Sequence, residues 1–296
     1  MDDFPISINL HLTNRCNYHC KFCFAQNRCL SRELTFDEWK KIIFLLSQKD
    51  CRKINFAGGE PTLLPFLPEL IIYAKNLGFY TSIISNGSLI SKKFVTKIKS
   101  HINLIGLSLD SPYELKEQKL GRGLADNRKA SYSHVEQINQ ISNWIKTMNI
   151  PLKINTTLTS LTWMDNFAPL IESIQPIRWK VLEVHKIDGI NNHYFDINPQ
   201  LKKDQIDYFM ERHEKYNPIY ESSEILSNSY CIITPDGRFY FDQSNTYSPE
   251  ILVHGIDECF DKLYYSSTNF SQRDGLHFLS DTMSKAQMGM EVKKTG

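Results

Sequence analysis

No run of apolar residues in this chain approaches the ~18 needed to cross a bilayer. Residues 1–5 are too short and acidic for a signal peptide, so the expected location is the cytoplasm, with no membrane partner. An excess of one charge is also missing. Lys and Arg number 34 against 33 Asp and Glu, a formal +1, so no global field recruits nucleic acid and anion binding must rest on local charge. A disulfide framework is absent as well. The cysteines number seven, which is odd; Cys16, Cys20 and Cys23 crowd one stretch, while Cys29, Cys51, Cys231 and Cys259 are scattered, a reduced intracellular pattern. What the chain has is length. Its 296 residues, 41% hydrophobic, can bury one large core, or a main domain with a small appendage, and suffice for a barrel.

The chain is organised around Thr13-Asn14-Arg15-Cys16-Asn17-Tyr18-His19-Cys20-Lys21-Phe22-Cys23, a loop after the first strand-like run. Thiolates at this spacing hold an iron-sulfur centre or zinc. A 4Fe-4S cluster on Cys16, Cys20 and Cys23 leaves one iron open for chemistry, whereas a closed zinc site takes a fourth ligand, here His19, His11 or Cys29. The triplet alone leaves both open. Further on, Gly58-Gly59-Glu60-Pro61 ends an apolar strand; its glycines let a ligand approach the backbone, and Glu60 can pair with a cationic amine. Together, Cys-x3-Cys-x2-Cys with Phe22 before the last thiol and the Gly-Gly-Glu-Pro turn resemble the radical S-adenosylmethionine (SAM) enzymes. That resemblance implies a 4Fe-4S cluster whose open iron chelates SAM, with Gly58, Gly59 and Glu60 at the methionine end and Ser85, Asn86, Ser108 and Arg122 as further SAM contacts.

Periodicity sets the expected fold. Strand-like segments at 6–12, 53–57, 80–85, 103–109, 152–158 and 177–184 alternate with helix-like ones at 35–48, 66–77, 88–100, from the Gly121-Arg122-Gly123 loop to 148, and 165–175. Thr35-Phe36-Asp37-Glu38 is a capping-box signature for the first of these helices. Six repeats predict an α/β fold, an open (β/α)6 partial TIM-like barrel of the radical SAM type; a closed eight-fold barrel needs two more units. Residues 1–190 form this core, 191–280 are expected to cap its open side and the substrate site, with a hairpin turning at Pro235-Asp236-Gly237, and 281–296 are expected to be a flexible tail.

The phase of the strands carries a chemical inference. Lys53 and Asn55 oppose Ile54 and Phe56; Lys153 and Asn155 oppose Ile154; Arg178 and Lys180 oppose Trp179 and Val181; Asn9 and His11 oppose Ile8 and Leu10. Helices must cover the apolar face, so the polar one points into the barrel. Unpaired cations gathered there cost on the order of several kcal/mol each unless an anion meets them. Each could instead lie solvated or paired at a strand end. As a set, Lys53, Lys153, Arg178 and Lys180 suit a polyanion such as a nucleoside triphosphate, with Asn9 and Asn155 on the base or sugar.

Several motifs then narrow the resemblance to viperin-like nucleotide dehydratases: Ser7-Ile8-Asn9, Lys53-Ile54-Asn55-Phe56, Ser85-Asn86-Gly87-Ser88-Leu89-Ile90, Gly121-Arg122-Gly123, Lys153-Ile154-Asn155, Arg178-Trp179-Lys180-Val181 and Asn228-Ser229-Tyr230. The resemblance implies that Lys53, Lys153, Arg178 and Lys180 hold a triphosphate and that Tyr230 acts beside the reacting sugar as donor or relay. Arg273-Asp274-Gly275 only partly keeps the family's Arg-Gly-Gly phosphate loop, and an aspartate beside phosphates is unfavourable. It further implies conversion of CTP, UTP or GTP to a 3′-deoxy-3′,4′-didehydro nucleotide, an RNA chain terminator in antiviral defence, with electrons from a flavodoxin or ferredoxin. Two other readings stand beside this one. One is a radical SAM enzyme that modifies a peptide or cyclises GTP, although Cys231 and Cys259 are too isolated for the extra cysteine clusters such enzymes carry; the other is a zinc-binding scaffold without activity.

Overall fold

The computed structural model describes residues 4–25, 31–123, 132–184, 186–241, 244–261 and 265–279. Cys29 and the expected tail at 281–296 lie outside them. Five strand–helix units open the fold: β1 (Ser7–His11) and α1 (Phe36–Ser47), β2 (Lys53–Ala57) and α2 (Leu67–Asn76), β3 (Tyr80–Ser85) and α3 (Lys92–Ile98), β4 (Leu104–Ser108) with α4 (Glu114–Leu120) and α5 (His134–Thr147), and β5 (Leu152–Leu158) and α6 (Ala168–Ile174). Strand β6 (Arg178–Glu183) follows, and β1 to β6 pair in chain order, all parallel.

Local chemistry fixes the helix ends. Thr35 caps α1 through the capping box, the Glu38 carboxylate accepting from Thr35 N at 2.8 Å, and Trp39, Ile42, Ile43 and Leu46 then face the core. The third helix begins later than its periodicity suggests, because residues 85–88 fold into a side-chain-bonded turn and Ser91 caps the helix by accepting from Phe94 N at 3.1 Å. Helix α4 was not read from the sequence at all. It has seven residues and ends at Gly121 in the left-handed region, φ 85°.

Beyond β6 the chain returns to the sheet. Short strands β7 (Ile219–Glu221) and β8 (Cys231–Ile233) join the sheet in parallel at opposite edges, β7 on β6 and β8 on β1. Strands β9 (Phe239–Phe241) and β10 (Thr246–Tyr247) continue from β8, antiparallel, giving one ten-stranded sheet ordered β10-β9-β8-β1-β2-β3-β4-β5-β6-β7. The hairpin expected at Pro235-Asp236-Gly237 joins β8 to β9. The six-unit barrel is thus extended to eight parallel strands, and the boundary expected near residue 190 separates chain segments, not sheets.

The apolar strand positions, among them Ile8, Leu10, Ile54, Phe56, Ile154 and Val181, are fully buried in one core with the helices. The opposite face is a polar lumen, as the phase of the strands predicts. The segment holding helix Ser267–Gln272 crosses one mouth of that lumen. Its Phe278 packs on Tyr80, and Asp274 meets Arg178, so it lies over the strands' amino-terminal ends.

Candidate active site

The carboxyl-terminal strand ends build one wall of a cavity. His11, Ala57, Ser85, Ser108, Thr157 and Glu183 line it together with Cys16, Cys20 and Cys23. Two backbone approaches pin the thiol loop there. Gly59 N donates to Thr13 O at 2.7 Å and Glu60 N to Arg15 O at 2.8 Å; a Cβ on Gly59 would stand 2.2 Å from Arg15 O. On the other side His19 N donates to Gly121 O at 3.1 Å, and a Cβ on Gly121 would stand 2.0 Å from His19 O. Gly59 and Gly121 are therefore required by the thiol loop itself, and Gly58 and Gly59 also line the cavity, where the sequence expects a ligand to approach the backbone. Burial raises the pKa of Cys16, and it pushes the Cys20 thiol up to about 12. Among the described residues no three His, Cys, Asp or Glu side chains form a ready-made metal cage. Three thiols on one loop, sharing one cavity wall, are nonetheless the donor set an iron-sulfur cluster takes, so the residues fit that group.

Glu60 plays a different part from the one expected. Its carboxylate is fully buried off the cavity wall and already accepts from Thr62 N at 3.0 Å, Thr62 Oγ1 at 2.5 Å, Ser85 Oγ at 2.8 Å and Asn86 N at 2.7 Å. It therefore fixes Ser85 and Asn86, which do line the cavity, and is not placed to take an amine directly. Asn86 is held from behind as well, because buried His134 donates Nε2–H to Asn86 O at 3.0 Å while Nδ1 meets Glu117 at 2.5 Å. Arg122, also on the wall, is paired with buried Asp110 and stands over the Phe22 ring. Sequence reasoning missed Asp110, Glu117 and His134. Each supports a wall residue from outside the motif that contains it.

Deeper in the lumen, toward the strand starts, the expected cations gather. Register places Lys153 beside Arg178 and Asn155 beside Lys180. Lys53, Lys153, Arg178, Lys180 and Arg273 all lie close enough to repel one another. Burial first, and then this mutual repulsion, pushes Lys53 and Lys153 well below the ordinary lysine range. Lys180 falls to about 8, burial again dominating and Glu221 opposing it. Among the described residues two carboxylates answer the five cations. Glu221 is paired with Lys180 and lies 3.7 Å from Arg273, while Asp274 is paired with Arg178. Among the described residues Lys53 and Lys153 have no carboxylate within ion-pair distance. Lys53 instead donates to His277 Nε2 at 3.5 Å, and His277 Nδ1 donates to Asp274 O at 3.1 Å. Burial and Lys53 lower that imidazole to about 2, which keeps it neutral.

Between the thiol wall and the cations lies a polar middle. Ser82 donates to Asn55 at 2.8 Å and Asn55 to Asn9 at 2.7 Å, and Asn9 and Asn155 both line the cavity. Among the described residues the buried Asn155 Oδ1 has no hydrogen-bond partner, so it can accept from a ligand. Tyr230, just before β8, also lines the cavity; its hydroxyl donates to Glu221 at 2.8 Å, and the Arg273 guanidinium lies 3.7 Å from the centre of its ring. Of the residues expected from sequence, Asn9, Cys16, Cys20, Cys23, Gly58, Gly59, Ser85, Asn86, Ser108, Arg122, Asn155 and Tyr230 meet in the cavity, and Lys53, Lys153, Arg178, Lys180 and Arg273 gather below it.

Comparison with known proteins agrees with this arrangement. Residues 10–158 match the Radical SAM superfamily. The S-adenosylmethionine-dependent nucleotide dehydratase of the Thermoplasmatales archaeon (strain ISO4-H5) is 35% identical over 80% of this chain and 83% of its own length. The chain belongs to this family of radical SAM enzymes. A second relative of the same name, from Lacinutrix mariniflava, is 34% identical over 92% of this chain, which spans 58% of that longer protein. In fold the chain is similar to Streptococcus suis SuiB bound to S-adenosylmethionine, with TM-score 0.62 and 17% identity over 80% of this chain and 60% of the other. Radical SAM enzymes use a 4Fe-4S cluster and SAM. Among the described residues no helix is long and apolar enough to cross a membrane.

Proposed function

We propose that this chain converts a ribonucleoside triphosphate, CTP, UTP or GTP, to its 3′-deoxy-3′,4′-didehydro analogue, with the triphosphate on the lumen cations and the ribose between Tyr230 and the thiol wall. The observation that carries the reading is the charge imbalance. Five cations answered among the described residues by two carboxylates, with Lys53 and Lys153 two residues along their strands from the cavity-lining Asn55 and Asn155, call for a polyanion. Lys53, Lys153, Arg178, Lys180 and Arg273 would bind the phosphates, and Asn155 would accept from the base or sugar. Cys16, Cys20 and Cys23 would hold the cluster, while Gly58, Gly59, Ser85, Asn86, Ser108 and Arg122 would line the SAM site. When bound, cluster and SAM supply the reductive homolysis that starts removal of the ribose 4′ hydrogen. The protein's part is to align that hydrogen and exclude water, since placement and dryness govern what such chemistry yields. Tyr230 would assist departure of the 3′-hydroxyl as water, a step that consumes one proton and one electron. A flavodoxin or ferredoxin in the cytoplasm would supply electrons, and the product would act as a chain terminator of viral RNA synthesis.

Anaerobic turnover tests the reading. Reconstituted full-length chain, SAM and a strong reductant are incubated with CTP, UTP, GTP and ATP separately, and each mixture is followed by mass spectrometry. The expected result is that one nucleotide raises 5′-deoxyadenosine and gives a product lighter by one water. Equal SAM cleavage with and without every nucleotide would overturn it.

A further inference from the structure

Glu221 occupies a junction that the reaction outlined above does not assign. It is the last residue of β7, fully buried, and it touches both halves of the lumen. One carboxylate oxygen meets Lys180 and lies 3.7 Å from Arg273, both in the cation group; the other accepts the Tyr230 hydroxyl at 2.8 Å. That is the one hydrogen bond the phenol makes among the described residues. Arg273 closes the triangle, since it stacks on the Tyr230 ring and donates to Ser229 O at 3.0 Å. The contact also spans the sheet, because β7 and β8 are the opposite ends of the parallel array and Tyr230 immediately precedes β8. Resting on the proposal that phosphates bind these cations, we propose that Glu221 is a positioning residue that couples occupancy of Lys180 and Arg273 to the orientation of Tyr230.

Two consequences have opposite signs. Glu221 competes with an incoming phosphate for Lys180 and Arg273, so it weakens nucleotide binding. It also holds the phenol in the direction from which Tyr230 faces the sugar, so it supports completion of the reaction. A residue that merely held the fold together would lower both binding and turnover when removed.

The test measures nucleotide affinity and the ratio of dehydrated product to 5′-deoxyadenosine separately, on reconstituted full-length enzyme with the nucleotide that wild type turns over. Glu221→Gln keeps the shape and removes the charge; the coupling predicts nucleotide binding about threefold or more tighter, since a competing carboxylate is gone, with the product ratio down at least about fivefold. Glu221→Asp keeps the charge but withdraws it from the phenol, so affinity stays within about twofold of wild type while the ratio still falls. In a Tyr230→Phe background, Glu221→Gln still tightens binding but no longer changes the ratio, because its effect on chemistry runs through the phenol. Weaker binding in Glu221→Gln, or an unchanged product ratio in both single variants, overturns the coupling while leaving the wild-type activity in place. A wild-type chain that binds no nucleotide overturns the proposed function and the coupling together.

Discussion

Single side chains in the lumen show both how much the sequence discloses and where it stops. The inward direction of Lys53, Lys153, Arg178 and Lys180 follows from the period of two in their strands, and the structure gathers all four. Their counter-charges do not follow. Glu221 sits in a three-residue strand too short to show alternation, and Asp274, which looked only like a poor neighbour for phosphate, is the resident partner of Arg178. Lys153 isolates the effect of an unanswered charge. Its chain runs 3.1 Å from where a Cβ on Gly106 would stand, so the glycine gives it room, and burial with neighbouring cations disfavours its charge. Lys153→Met is expected to raise the melting temperature of the ligand-free protein, because a repelled cation is replaced by an apolar chain, and to weaken nucleotide binding by about tenfold or more, because a phosphate partner is lost. Thermal unfolding and a binding titration check the two signs; parallel losses of stability and affinity would argue for a packing role instead.

At the level of elements, the strands and the first helix are legible because each carries a clean period and a cap, as Thr35 and Glu38 do for α1. Helix α4 is not legible because seven polar-rich residues before a glycine carry little periodic signal; β7 is not because a strand of three residues gains its order from the edge of β6, and β8, legible as one arm of the hairpin, gives no sign in sequence of its pairing with β1. Yet α4 matters to the site, since the turn at its end clamps the thiol loop against Gly59. A methyl at either clamp must displace backbone, not a flexible side-chain tip, so Gly59→Ala and Gly121→Ala should each push the loop away at a cost on the order of 1–3 kcal/mol. The expected outcome is reduced iron and sulfide content after anaerobic reconstitution with far-ultraviolet circular dichroism preserved. Gly78→Ala is the control for Gly121→Ala, because among the described residues a Cβ there meets nothing within 4 Å although its φ of 93° is as left-handed as the 85° of Gly121; Gly59 lies outside that region, so its variant reads the clamp alone. If Gly78→Ala loses cluster as Gly121→Ala does while Gly59→Ala keeps it, backbone strain and not the clamp is responsible.

Across the whole molecule the fold separates two environments along one axis, thiols at the carboxyl-terminal strand ends and cations at the opposite mouth, and this separation makes ligand binding a proton-linked event. In the free protein Lys53 and Lys153 lie well below 10.5, and Lys180 near 8. The unfolded chain therefore binds more protons than the folded one between those values and 10.5, so stability of the ligand-free protein should rise with pH across that window. A triphosphate reverses the balance. Phosphates beside the lysines favour their charged forms and raise their pKa values, so the complex takes up protons and affinity falls as pH climbs through about 8. Titration calorimetry at a pH where the nucleotide is fully ionised, repeated in buffers of different ionisation enthalpy, measures this uptake directly. A net uptake that shrinks in Lys153→Met locates the protons on the lumen cations; binding with no buffer dependence would mean that the lysines are already charged and that the phosphates sit elsewhere.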